Sequence, residues 1–91
     1  MIVYYFYMVR CVDNSLYCGQ TNNLEKRIVE HNSNSSRSAK YTRARKPVKL
    51  VYSEKYKTLQ EAMSREWQVK KWTKAKKEAL IKGSIILLKK L

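Results

Sequence analysis

Tyr4-Tyr5-Phe6-Tyr7-Met8-Val9-Arg10-Cys11-Val12, followed by Asp13-Asn14-Ser15 and then Leu16-Tyr17-Cys18-Gly19-Gln20, is the stretch that decides the fold. Residues 2–12 are largely β-branched and aromatic with no breaker, which predicts a first strand. Asp13-Asn14-Ser15 is a turn signal. Leu16 to Gln20 reads as a second strand, so the chain opens on a hairpin. Side chains alternate between the faces of a strand, so the loop length decides which of them meet. A two-residue turn at Asn14-Ser15 puts Tyr17 on the face opposite Tyr7. A three-residue loop gathers Tyr7, Cys11 and Tyr17 on one face.

Working outward, Asn22 or Asn23 is placed to cap a helix that runs to about Asn32, with Leu24 and Ile28 on its inner side. Residues 32–46 are Ser, Asn, Arg and Lys and read as a polar loop. Pro47 opens a third strand, Val48 to about Tyr52. Thr58-Leu59-Gln60-Glu61 is a capping-box signature, with a helix behind it to about Lys71. Thr73 starts a further helix that Gly83 ends. The expectation is a single small α/β domain of order ββαβαα, with a three-stranded antiparallel-type sheet flanked by helices. It covers residues 1–83, and residues 84–91 form an apolar, then basic, tail.

Ninety-one residues close one hydrophobic core. That excludes a two-domain enzyme, a doubly wound cofactor fold and a repeat array. Leu, Ile, Val and Phe together supply 21 residues, enough for a folded domain with a modest core. With only Gly19 and Gly83 there is no phosphate-cradling loop. No stretch approaches the ~20 apolar residues of a membrane span. The apolar start lacks a basic leader and reads as a buried strand rather than an export signal. Cys11 and Cys18 are then two free thiols, and the expected location is the cytoplasm or the nucleoid.

The net charge of +13 points to a polyanionic partner, nucleic acid before an anionic membrane surface. The surplus is clustered. Residues 37–57 hold eight basic side chains against Glu54 alone, and residues 70–82 hold six lysines against Glu78. Tyr41 and Tyr52 interleave with the first cluster, as stacking residues do in nucleic-acid grooves. Arg37, Lys40, Tyr41, Arg43, Arg45 and Lys46, with Lys70 and Lys74 from the second cluster, are the candidate nucleic-acid contacts.

One carboxylate sits in the wrong place. On a helix starting near Thr58, Leu59, Ala62, Met63 and Val69 fall on one arc that should face the core, and Glu66 falls in its middle. A Glu there is either paired with an Arg or stands at the floor of a cleft where it can bind a divalent cation. On the first helix, Arg27 and His31 stack at i, i+4 beside the Leu24–Ile28 stripe. An Arg there either lies along the helix or reaches into a cleft to grip a phosphate.

Tyr5-Phe6-Tyr7, then Tyr17-Cys18-Gly19, then Asn23-Leu24-x-x-Arg27-x-x-x-His31, then Glu66 on a later helix, together resemble the GIY-YIG nuclease superfamily. The small single-domain YhbQ/YazA-like group is the nearest in pattern. Ala39-Lys40-Tyr41-Thr42-Arg43 and Pro47-x-x-Leu50-Val51-Tyr52 also look like that group. The resemblance spans about residues 3–82. It implies a metal-dependent endonuclease acting on DNA, in which Tyr7 and Tyr17 are the motif tyrosines and Gly19 the motif glycine. It further implies that Arg27 contacts the scissile phosphate, that Glu66 binds one divalent metal, and that His31 lies near the tyrosines. The chain has Tyr5 where the superfamily name has Gly, and no Asn follows the Glu66 helix.

Cooperation between Tyr7 and Tyr17 requires one shared face, which selects the three-residue loop. Asn14 tolerates the left-handed conformation such a loop needs. That register also sends Cys11 and Cys18 to opposite faces, against a disulfide. In the implied reaction Tyr7 is the base, its pKa lowered by Arg27 and the metal, and Tyr17 orients the water. His31 is the alternative proton acceptor, acting through Tyr7. One carboxylate makes a weak site for Mg²⁺ or Mn²⁺. Two other readings compete: a non-catalytic basic nucleic-acid-binding module, and an accessory protein whose tail docks on a repair or recombination assembly.

Overall fold

The computed structural model describes residues 2–33 and 39–83, so Arg37 and the tail from residue 84 lie outside the described residues. The element order is β1 (Tyr4–Arg10), β2 (Leu16–Thr21), α1 (Leu24–Asn32), α2 (Lys40–Arg43), β3 (Lys49–Tyr56), α3 (Leu59–Lys70) and α4 (Lys74–Lys82). β1 is central and antiparallel to both neighbours, in the order β2-β1-β3.

The opening hairpin takes the odd-length loop. Val9 pairs with Tyr17 and Tyr7 with Gly19. The Cys11 N–H donates to the Ser15 carbonyl, and Asn14 adopts a φ of 69°. Alternation then splits the core in two. Tyr7, Val9 and Cys11 face one way, with Val48, Tyr17, Leu24 and Ile28 packed on them. Phe6, Met8 and Cys18 face the other, against Val69, Leu80, Tyr52 and Trp72. Helix α1 covers the first face, and α3 and α4 cover the second. Both cysteines are buried, reduced and on opposite sides of the sheet.

Side-chain caps set the helix starts. Asn23, Thr58 and Thr73 each accept from a backbone N–H three residues on, and Gly83 ends α4 at a φ of 72°. These caps satisfy N–H groups that have no partner within the helix.

Three expectations are corrected. The loop over residues 32–46 is not wholly irregular, because Lys40–Arg43 form the short helix α2. The third strand runs to Tyr56, four residues beyond Tyr52, because Tyr52, Glu54 and Tyr56 pair with β1 past a bulge between Met8 and Val9. On α3 the buried line is narrow. Ala62 and Val69 are fully buried, while Leu59 and Met63 are 41% and 49% exposed. A small and a β-branched residue let the helix approach the sheet closely, which leaves the flanks of the predicted stripe outside.

Candidate active site

The site begins at the crossing of β1 and β2. Tyr7 lies opposite Gly19. A Cβ added to Gly19 would fall 2.6 Å from Tyr7 Cζ, so the phenol occupies the space a side chain would need. The ring is 1% exposed. Its oxygen is hydrogen-bonded to His31 Nε2 at 2.7 Å and accepts from Arg27 Nε at 3.4 Å. Arg27 and His31 come from one face of α1, as their i, i+4 spacing requires. His31 is fully buried, and its Nδ1 is 2.9 Å from Thr42 Oγ1.

Tyr17 stands at the outer side of this group. Its ring meets His31 edge-on at 5.3 Å and stacks on Tyr41 at 5.8 Å. Arg45 lies over the far face of that column, with its guanidinium carbon 4.0 Å from the Tyr41 ring centre. Hairpin, helix α1 and the basic segment therefore converge on one cluster of rings.

Glu66 lies half-buried on α3, the helix packed on the other face of the sheet from Tyr7. Its neighbour Arg65 is bonded to Glu54, and no hydrogen bond or ion pair joins Glu66 to another described residue. The paired-Glu reading is thereby set aside. Burial pushes the Glu66 carboxyl above its usual pKa, with Lys70 opposing, and its charge is close enough to act on both Tyr7 and Cys18. A half-buried, unbonded carboxylate suits a cation. No group of three or more His, Cys, Asp or Glu side chains gathers among the described residues. Glu66 has the donor chemistry to take part in holding a divalent ion.

Arg27 alone does not give the expected lowering of the Tyr7 pKa. Burial pushes it up to about 12, and the hydrogen bond and positive charge of Arg27 offset only part of that. Burial and the charge of Arg27 also push His31 down to about 4. The resting pair is a neutral phenol and a neutral imidazole.

Residues 3–79 match the model of the GIY-YIG catalytic domain. The chain belongs to the GIY-YIG family. Among its relatives, the UPF0213 protein of Bacillus pumilus is 51% identical over 78 residues, covering 86% of this chain and 78% of that one. The UPF0213 protein of Clostridium perfringens is 52% identical over 82 residues, covering 90% and 86%. YazA of Bacillus subtilis is 47% identical over 78 residues, covering 86% and 77%. Two solution structures are similar. The E. faecalis protein EF2693 has 41% identity and a TM-score of 0.61, and the UPF0213 protein of Bacillus halodurans has 37% and 0.58. Each comparison covers 91% of this chain and 86% of the other.

In this GIY-YIG domain the basic residues fall into two sets. Lys40, Arg43, Lys70 and Lys74 are exposed. Arg45 and Lys46 are half-buried and engaged in the fold. Arg45 Nε donates to Asp13 at 3.1 Å and its Nη1 to the Tyr41 carbonyl at 2.9 Å, while Lys46 Nζ donates to the Ser33 carbonyl at 3.0 Å. Two features escaped sequence reasoning. Thr42 belongs to the site, yet nothing in a Ser- and Lys-rich loop marks it. The cluster of Tyr52, Glu54, Tyr56 and Arg65 follows from strand alternation only once β3 is known to reach Tyr56.

Proposed function

We propose that this GIY-YIG domain is a metal-dependent endonuclease that nicks phosphodiester bonds in DNA. The observation that carries the reading is the Tyr7–His31 hydrogen bond with Arg27 against the same phenol. Hydrolysis needs a proton acceptor for water, a cation on the phosphate and alignment. Arg27 neutralises a non-bridging oxygen with its planar fork. Tyr17, half-exposed, orients the attacking water. Tyr7 takes a proton from that water while its own hydroxyl proton passes to His31 Nε2, so the phenol ends neutral and the imidazole ends charged. With pKa values of about 12 and about 4, the pair does not separate charge at rest. Proton transfer therefore accompanies attack on phosphorus. Glu66 is the residue that would hold Mg²⁺ or Mn²⁺, which when bound polarises the phosphate and stabilises the leaving oxygen.

The exposed Lys40 and Arg43, with Lys70 and Lys74, supply the duplex contacts. Reduced Cys11 and Cys18 fit a cytoplasmic setting. The test is nicking of supercoiled plasmid with Mg²⁺, Mn²⁺ or EDTA. Wild type should nick only with metal, and Arg27→Ala and Glu66→Ala should lose nicking while still binding DNA. No nicking by wild type with either metal, and binding that is unchanged or stronger in Glu66→Ala, would favour a non-catalytic binding module.

A further inference from the structure

We propose that Thr42 is a positioning residue that sets the tautomer of His31, holding the ring proton on Nδ1 and leaving Nε2 as acceptor for the Tyr7 hydroxyl.

A threonine hydroxyl has one proton to give and lone pairs to receive. Thr42 is fully buried, and its Oγ1 lies 3.0 Å from the Ala39 carbonyl, which can only accept. The hydroxyl proton is directed there, to a carbonyl that also receives the Thr42 and Arg43 N–H groups at 3.1 Å each. Toward His31 Nδ1, at 2.9 Å, Thr42 can therefore only accept, so Nδ1 carries the hydrogen. Burial and the positive charge of Arg27 keep the ring neutral, so Nε2 is bare. The Tyr7 hydroxyl, 2.7 Å away, must donate to it.

The other end of the chain is compatible with the same polarity. Arg27 Nε can only donate, and it does so to Tyr7 Oη at 3.4 Å. The phenol proton is not used there and points to His31. With a guanidinium at one end and a carbonyl at the other, the arrangement that uses every donor is Arg27 to Tyr7 to His31 to Thr42 to Ala39. Reversing the ring would set the Thr42 and Ala39 oxygens lone pair against lone pair and leave the Tyr7 proton without an acceptor.

Thr42 lies between Tyr41 and Arg43, so the segment that offers basic and stacking side chains also orients the imidazole. The catalytic part of this inference rests on the nuclease reading, whereas the tautomer does not.

His31 is the single histidine of the chain, so ¹⁵N-histidine labelling gives one imidazole. A two-bond ¹H–¹⁵N correlation spectrum near neutral pH should show Nδ1 protonated and Nε2 bare in wild type and in Thr42→Ser. In Thr42→Val the ratio of the Nδ1–H to the Nε2–H form should fall about fivefold or more, the weight of one hydrogen bond. In the plasmid assay Thr42→Val should lower kcat about tenfold with KM little changed, and Thr42→Ser should restore it. An Nε2–H ring in wild type, or an unchanged ratio in folded Thr42→Val, would overturn the inference. Should Thr42→Val fail to fold, the wild-type and Thr42→Ser spectra decide. The predicted tautomer in a protein that never nicks DNA would uphold the role of Thr42 and overturn the nuclease reading alone.

Discussion

Tyr7 and Gly19 face each other across the β1–β2 ladder, and the tyrosine ring fills the place of the missing glycine side chain. The motif glycine is thus a matter of space, since its backbone needs no positive φ. Gly19→Ala should push the phenol off His31 and Arg27. Overpacking of this kind costs about 1–3 kcal/mol, and misplacing a reacting group by about 1 Å costs on the order of a hundredfold in rate. Urea unfolding and plasmid nicking check the two numbers separately. A variant with full stability and full activity would show that the phenol does not need its present position.

The pH dependence of folding should carry the signature of His31. Its folded pKa, about 4, lies below the unfolded value of ~6.5. Between these values the unfolded chain binds a proton that the folded protein excludes. The contribution is therefore complete above pH 6.5 and lost as pH falls toward 4, by at most ~3 kcal/mol. Glu66, whose pKa is raised, works with the opposite sign in acid, and the lowered carboxyls of Glu54 and Glu78 lose their contribution only below the usual carboxylate range. Urea midpoints at pH 7, 6 and 5 should fall for wild type and stay flat for His31→Gln.

Glu54 holds α3 on the sheet. Its carboxylate accepts from Tyr52, from Tyr56 and, through both oxygens, from Arg65. The four groups are half-buried, and Arg65 is next in sequence to Glu66. Glu54→Gln leaves the guanidinium without its charge partner, at a cost of about 1–3 kcal/mol. The expected result in urea unfolding is a loss of that size, against a loss below ~1 kcal/mol for breaking the more exposed Arg10–Glu78 pair.

Much of this was legible in the residues. The loop length followed from Asn14 and the need for two tyrosines on one face, and each helix start was written in a capping side chain. Glu66 announced itself as a carboxylate on a buried arc. Three things were not legible. The Thr42–His31 contact joins the short helix α2 to α1 with no local signal. The bulge opposite Met8 and Val9 extends β3 beyond its apolar part. The Tyr7 pKa moved up, because the residue list shows the nearby Arg27 charge and hides the burial that outweighs it.

Salt dependence of binding, taken with stability, should separate the exposed Lys40 and Arg43 from the half-buried Arg45. For duplex DNA the slope of log K against log salt is about −0.9 per phosphate neutralised. Lys40→Ala and Arg43→Ala should each flatten that slope by about one. Arg45→Ala should also lower stability, because Arg45 ties Asp13 to Tyr41. Fluorescence anisotropy with a labelled duplex over a salt series gives the slopes, and identical behaviour of all three variants would contradict the division.

The central claim is that the hairpin phenol, the α1 guanidinium and the α3 carboxylate act on one phosphodiester. Single-turnover nicking of supercoiled plasmid in Mg²⁺, by wild type, Tyr7→Phe, Arg27→Ala and Glu66→Ala at saturating protein, tests it most directly. The account predicts metal-dependent nicking by wild type and a fall of at least about a hundredfold in each variant, with DNA binding retained. Nicking that persists in EDTA, or survives the loss of Arg27 and Glu66, would contradict it.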